Sequence, residues 1–221
     1  MRFSAVTFCA FLVGLFVGAP AFSNSDVLTQ HNDPARTGAQ LSESSLRPSN
    51  VTPSTFGRLY ERYVDGQVIA QPLYVSGLTI PGQGVRNVVY VATRKNLIYA
   101  FDADNLDPDP THGLIWSQPV QVEAPGTVPG LARGQCSETL GDVGINSTPV
   151  IDRASATMYV VARKVDGTLW LHALDIVTGQ PKAGTPGAVQ IAAAVTVGGQ
   201  HIVFDQTLEL SRAALLFQNG A

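Results

Sequence analysis

The chain has little charge, and this shortage excludes several classes of protein. Only 14% of its 221 residues are charged, and the net charge of -3 is spread along the chain without a basic cluster. Nucleic-acid binding needs Lys and Arg side chains concentrated on one face, so no nucleic-acid partner is expected. Hydrophobic residues make up 45% of the chain, which excludes a disordered protein.

Cysteine is almost absent, and the two cysteines are not expected to form an internal disulfide. Cys9 lies in the N-terminal apolar run, and removal of that run would leave Cys136 alone. The immediate neighbours of Cys136, residues 134–138, offer no histidine that could act as its base, so an unpaired loop cysteine is favoured over a catalytic thiol. The alternative is a partner thiol in a further part of the chain.

The N-terminus has the three parts of a secretory signal peptide. Arg2 gives a positive charge, residues 3–17 are mostly apolar, and residues 19–23 offer small side chains at a cleavage site. The apolar run is almost long enough to span a bilayer, so a membrane anchor is the alternative. The small residues favour cleavage. Residues 1–23 are therefore predicted to be a signal peptide, and the mature chain to be periplasmic or extracellular without a stable membrane span.

The remainder of the chain contains one unit twice. The two copies keep the same order, through residues 71–75, 88–95 and 97–102 and then through residues 148–152, 157–164 and 169–175. Each copy predicts three short strands, with a fourth at 115–120 and at 189–192. Val88, Tyr90 and Ala92 alternate with Val89 and Val91, so both faces of this strand are expected to be buried. Four strands in each repeat are typical of a β-propeller blade.

The predicted organisation is an all-β protein with a lead-in segment at 24–66 and a partial propeller at 67–221. The blades are expected at about 67–120 and 145–192, and a third at about 213. Strands are also predicted at Phe56–Tyr63 and Gln67–Val75, and the third blade is predicted to begin with Ala213–Phe217 and an Asn219-Gly220 turn. Closed propellers need about four blades or more, so the chain is expected to be an N-terminal fragment.

The second repeat resembles that of the PQQ (pyrroloquinoline quinone) enzyme-like β-propellers, most closely in residues 168–179. The opening residues 29–39, with residues 65–72, resemble a group of exported bacterial propeller proteins, and the likeness covers about 26–221. In this family, quinoprotein dehydrogenases stack PQQ between a tryptophan and two adjacent cysteines, beside Ca²⁺. No adjacent cysteine pair exists here and no residue matches the calcium ligands, so no cofactor is predicted for this chain.

Three hypotheses for function follow from this resemblance. The first is an exported binding or scaffold module without catalytic activity, with a protein or a carbohydrate as its partner. The second is the N-terminal part of a PQQ-dependent dehydrogenase, with PQQ and calcium as cofactors. The third is a scaffold in outer-membrane assembly, against which the missing lipid-attachment cysteine counts.

Candidate binding residues lie in the Gly- and Pro-rich stretch 121–144, because long loops on a propeller face often carry function. They are Arg133, Cys136, Glu138 and Asp142.

Three other groups favour a structural interpretation. Residues 31–33 are predicted to form a turn, and residues 107–110 a solvated loop that lacks the spacing of a calcium site. His172 is predicted to be a buried or half-buried histidine instead of a catalytic one.

Overall fold

The computed structural model describes residues 26–120, 142–206 and 209–218, and within these ranges the chain is all-β. Ten strands form three antiparallel sheets of four, four and two strands, and no helix occurs in the described ranges. The strands are β1 Leu73–Ile80, β2 Gly84–Ala92, β3 Leu97–Asp102, β4 Leu114–Pro119, β5 Val150–Asp152, β6 Thr157–Arg163, β7 Leu169–Asp175, β8 Ala188–Gln190, β9 Ala194–Val197 and β10 Gln200–Val203. No described helix is therefore long and apolar enough to cross a membrane.

The first repeat forms a meander in the order β1-β2-β3-β4, which confirms its four predicted strands. β2 and β3 pair so that Tyr90 lies opposite Ala100. The turn between them places Asn96 at φ 60°, a left-handed conformation that asparagine tolerates better than most residues. The sequence pattern and the turn chemistry thus agree on the same hairpin.

The second repeat forms the same meander, in the order β5-β6-β7-β8. Tyr159 of β6 lies opposite Ala173 of β7, which is the counterpart of the Tyr90–Ala100 pair in the first sheet. The connecting turn is longer here. Asp166 accepts the Thr168 N–H at 2.9 Å, and Gly167 takes φ 85°. The repeat seen in the sequence is therefore a repeat in the structure.

The two four-stranded sheets share one hydrophobic core. Val88, Tyr90 and Ile98 from the first sheet belong to the same buried cluster as Met158 and Val160 from the second. The Tyr90 hydroxyl crosses between the sheets and donates to the Ile176 carbonyl at 2.9 Å. Burial in this shared core explains why the side chains on one face of each four-stranded sheet are apolar.

The prediction that β2 is buried on both faces is wrong for one face. Val88, Tyr90 and Ala92 are buried, but Val89 and Val91 are only half-buried. Side chains of a strand alternate between faces, and the second sheet covers only the face that carries Tyr90.

A glycine allows a close backbone approach between the first repeat and the segment that leads into the second. Gly144 donates its N–H to the Arg94 carbonyl at 2.7 Å. A Cβ atom at Gly144 would lie 2.8 Å from Asn96 Cγ, and closer still to that side chain's oxygen. Asn96 itself donates to the Arg163 carbonyl at 2.8 Å, so this turn joins both sheets.

Two predicted strands are absent, and one hairpin was not predicted. The segment 56–63 is irregular, since its hydrogen bonds go to a loop: the Tyr60 hydroxyl donates to the Ala103 carbonyl at 2.9 Å. The predicted strand at 213–217 is also irregular, and Leu215 N–H donates to the Thr148 carbonyl at 3.0 Å. The strand predicted at Gln67–Val75 begins only at Leu73. The unpredicted hairpin is β9–β10, while the Asn219-Gly220 turn and residues 1–23 lie outside the described residues.

Candidate functional site

A cavity of about 420 Å³ lies where the N-terminal segment, β5 and residues 216–217 meet. Apolar and polar groups both line it. The lining residues are Asp26, Leu28, Thr29, Asn32, Asp33, Pro34, Val150, Ile151, Asp152, Arg153, Ala154, Leu216 and Phe217. A concave surface with a few polar groups among apolar ones is the usual form of a ligand site.

The N-terminal segment 26–29 forms one wall because it is hydrogen-bonded to the first strand of each repeat. Val27 exchanges two backbone hydrogen bonds of 2.9 Å with Tyr74 of β1. The next residue, Leu28, accepts the N–H of Ile151 in β5 at 2.8 Å. The segment therefore fills the seam between β1 and β5, and it fixes the cavity against both sheets.

An ion pair at one end of this segment ties three parts of the chain together. Asp26, whose side chain is 6% exposed, pairs with Arg153, which follows β5. The same carboxylate accepts the Ser76 N–H at 2.8 Å and the Ser76 hydroxyl at 2.7 Å. Arg153 also donates to the Ser76 carbonyl at 2.7 Å. These charge-assisted bonds hold the Arg153 guanidinium in a fixed position at the cavity.

The turn at 31–38 forms the mouth of the cavity and confirms the predicted turn. The Gly38 N–H donates to the His31 carbonyl at 3.0 Å and closes the segment. Three of its non-glycine residues have a positive φ, namely His31 at 59°, Asn32 at 70° and Arg36 at 60°. Left-handed residues of this kind cost about 1–3 kcal/mol each, and they are concentrated at functional sites.

Arg36 holds the opposite wall in place. Its guanidinium donates to the carbonyls of Ala214 and Leu215 at 3.2 Å and 3.0 Å. Phe217, on the same wall, stacks on Tyr159 with ring centroids 5.8 Å apart. The Phe217 ring therefore lines the cavity while it packs against Tyr159 of the second sheet.

The electrostatics of the cavity suit binding by hydrogen bonds. The Thr37 hydroxyl donates to the Asp33 carboxylate and lowers the pKa of Asp33, so this group remains an acceptor near neutral pH. Asp152 accepts the Ala154 N–H at 3.0 Å and the Ser155 hydroxyl. Arg153 and Asn32 supply donors, and the described lining contains no histidine or cysteine to act as a base or a nucleophile.

Of the four binding residues proposed from the sequence, only one can be placed. Arg133, Cys136 and Glu138 lie outside the described residues, whereas Asp142 is half-buried just before the second repeat. Its charge acts on Lys95, whose pKa is raised chiefly by a hydrogen bond to Asp65. Asp142 does not line the cavity.

The other residues considered in the sequence analysis lie in surroundings that agree with a structural role. His172 is buried at 6% exposure, as predicted, and desolvation lowers its pKa to about 4. The 107–110 segment is an exposed loop, in which the Asp107 carboxylate bonds His112 Nδ1 at 2.8 Å. Across the described ranges, no three His, Cys, Asp or Glu side chains are grouped closely enough to hold a metal ion.

The cavity was not found from the sequence because its key residues lie far apart along the chain. Asp26 and Arg153 are separated by 127 positions. Neither belongs to a repeated motif, so spacing gives no signal that they meet.

No protein-family model matches this chain, and no curated protein matches it.

Proposed function

We propose that this chain is an exported β-propeller binding module without catalytic activity, and that its ligand occupies the cavity beside β1 and β5. The observation that carries the proposal is the pair of four-stranded meanders on one shared core. Both first strands, β1 and β5, contact the same N-terminal segment, as the first strands of neighbouring blades would around an axis. The likeness to PQQ enzyme-like repeats supports the same architecture.

The cavity chemistry favours a carbohydrate over a protein partner. A sugar has an apolar ring face and hydroxyl groups that both donate and accept hydrogen bonds. Phe217 and Leu28 offer apolar contact, Asp33 and Asp152 accept, and Arg153 donates. A protein partner would need a broader surface than a cavity of about 420 Å³.

A thermal-shift screen against a panel of oligosaccharides tests this proposal. A true ligand at about a hundred times its Kd should stabilise the protein by about 2.7 kcal/mol. Asn32→Ala should abolish the shift, because Asn32 lines the cavity. Asp142→Ala is the matched control, because Asp142 lies outside the cavity and should leave the shift unchanged. If the thermal shift were lost with Asp142→Ala and kept with Asn32→Ala, the ligand would bind near Asp142, at the long loop 121–144, and not in the cavity.

The alternative is the N-terminal part of a PQQ-dependent dehydrogenase, and the described residues do not fit that cofactor. Of the two tryptophans, Trp116 packs against Tyr90 with centroids 5.8 Å apart. Trp170 carries the Lys164 ammonium 4.0 Å from its ring centroid. Each ring is thus engaged on at least one side.

Incubation with PQQ, with and without calcium, separates the two hypotheses. The binding module should give no saturable change in absorbance. Saturable binding that requires calcium would favour the dehydrogenase. The outer-membrane scaffold remains a third proposal, and no contact among the described residues supports it over the first.

A further inference from the structure

The lining of the cavity beside β1 and β5 carries more negative than positive charge. Its described residues supply one guanidinium, that of Arg153, and the three carboxylates of Asp26, Asp33 and Asp152. Asp26 and Arg153 form an ion pair with each other, so their charges balance. The other two carboxylates therefore leave the cavity with an excess of negative charge.

No cation of the described chain balances Asp33 or Asp152. Neither carboxylate belongs to an ion pair among the described residues. Asp33 accepts the Thr37 hydroxyl, and Asp152 accepts the Ala154 N–H and the Ser155 hydroxyl, all of which are neutral groups. The hydrogen bond from Thr37 lowers the pKa of Asp33, which keeps this carboxylate charged near neutral pH.

Arg36, which supports one wall of the cavity, does not balance these charges either. Its guanidinium donates to the Gln30 side chain at 3.1 Å and to two backbone carbonyls, and Arg36 is not among the lining residues. Asp33 and Asp152 are both half-buried. Salt screens a partly buried charge less than an exposed one, so a ligand in the cavity would interact with both carboxylates.

The spacing of acidic groups in this protein suits an organic cation better than a metal ion. Across the described ranges, no three His, Cys, Asp or Glu side chains are grouped closely enough to hold a metal. Calcium needs about six or more oxygen ligands around one point. An ammonium group offers only donors, and its charge-assisted hydrogen bonds to a carboxylate are about twice as strong as neutral ones. Separate carboxylates can each bind one ammonium group.

The apolar wall of the cavity distinguishes among organic cations. Leu28 and Phe217 line this wall, and the Phe217 ring is supported by its stacking on Tyr159. A pyranose ring is rigid and can place its apolar face on such a wall. A lysine side chain would instead lose the freedom of several rotatable bonds on binding. An amino sugar therefore combines the charge and the rigid ring that the cavity favours.

We propose that the cavity binds an amino sugar, with its ammonium groups at Asp33 and Asp152 and its ring face against Phe217. This assignment rests on the proposed function, and it narrows the ligand from carbohydrates in general to those with a positive charge. N-acetylation of the amine removes that charge. A glucosamine oligomer and its N-acetylated counterpart are thus a matched pair of ligands that differ at the group in question.

The test is calorimetric titration of the full chain, purified from a host that exports it, with a glucosamine tetramer and an N-acetylglucosamine tetramer. At a pH where the amines are protonated, the glucosamine tetramer should bind about tenfold more tightly or better, and NaCl at about 0.5 M should reduce this ratio. Equal affinities that are both abolished by Asn32→Ala would overturn the amino-sugar assignment and leave the cavity as a carbohydrate site. Failure of both tetramers and of every other oligosaccharide to bind would overturn the proposed function as well.

Charge variants of the protein give a second measurement. Asp152→Asn should lower the affinity for the glucosamine tetramer by about threefold or more and leave that for the acetylated tetramer nearly unchanged, since asparagine keeps the size and an oxygen acceptor. Asp166→Asn is the matched control, because Asp166 also accepts an N–H and a hydroxyl, both from Thr168, but lies outside the cavity. An equal loss with Asp166→Asn would overturn the proposal, because affinity would then follow the net charge of the protein. A lysine tetramer that binds as tightly, and loses its binding with Asn32→Ala, would also overturn it, because the cavity would then select charge without the sugar ring.

Discussion

Acidification from pH 7 to pH 5 should destabilise this protein through His172. The side chain lies on β7, opposite Val160 and Ala188, and is 6% exposed. Burial lowers the pKa of His172 to about 4, and the nearby Lys164 charge acts in the same direction. The folded protein therefore keeps His172 neutral at pH values where the unfolded chain protonates it.

The sign and the size of the effect follow from the two pKa values. The ordinary pKa of 6.5 applies to the unfolded chain, and the folded value is about 4. As the pH falls below 6.5, the unfolded state binds the proton first, so stability decreases until the pH reaches about 4. The full effect is about 3 kcal/mol, of which about 2 kcal/mol is lost between pH 7 and pH 5.

Urea unfolding at pH 7 and pH 5, for the wild type and for His172→Gln, isolates this contribution. Other groups titrate in the same range. Asp107 raises the pKa of His112, whose contribution has the opposite sign because it is lost as pH rises. These groups are the same in both proteins, so their effects cancel in the comparison. An equal loss of stability in both proteins would refute the assignment to His172.

Three further predictions concern the contacts between segments. Gly144→Ala should lower the free energy of unfolding by about 1–3 kcal/mol, because the added Cβ overlaps the Asn96 side chain; urea unfolding measures it. Asp26→Ala should lower it by about 3 kcal/mol, because its guanidinium partner and two donors lose their acceptor; Asp26→Asn should retain part of this energy. Tyr90→Phe should cost about 1 kcal/mol, since it removes the hydrogen bond to Ile176; thermal unfolding measures it, and no change would show that this bond adds nothing.

Much of the fold could be predicted from the sequence because the repeats obey local rules. The apolar alternation around Tyr90 and Tyr159 predicted both central hairpins, and the structure confirms them. The Gly198-Gly199 turn between alternating residues is an equally good sequence signal for the unpredicted β9–β10 hairpin. Local pattern therefore specifies the strands wherever the chain pairs with its sequence neighbours.

The cavity could not be predicted because long-range contacts build it. Thr29 donates to the Leu215 carbonyl, which lies 186 positions away. Irregular backbone at 213–217 offers carbonyls to Arg36, although its apolar residues predicted a strand. Pattern reasoning assigns such a segment to a sheet, because it registers apolar alternation but not which hydrogen-bonding partners are within reach.

The position of the N-terminal segment has a consequence for proteolysis. Residues 37–51 are all exposed, so a protease could cut there without entering the core. The N-terminal fragment that contains residues 26–36 would then remain attached without a covalent link, held by its bonds to β1, β5 and Leu215. Its release would uncover both strand edges and one wall of the cavity in a single step. A nicked protein would thus become a receptor for its own N-terminal segment, and added peptide of that sequence would compete for the seam between β1 and β5.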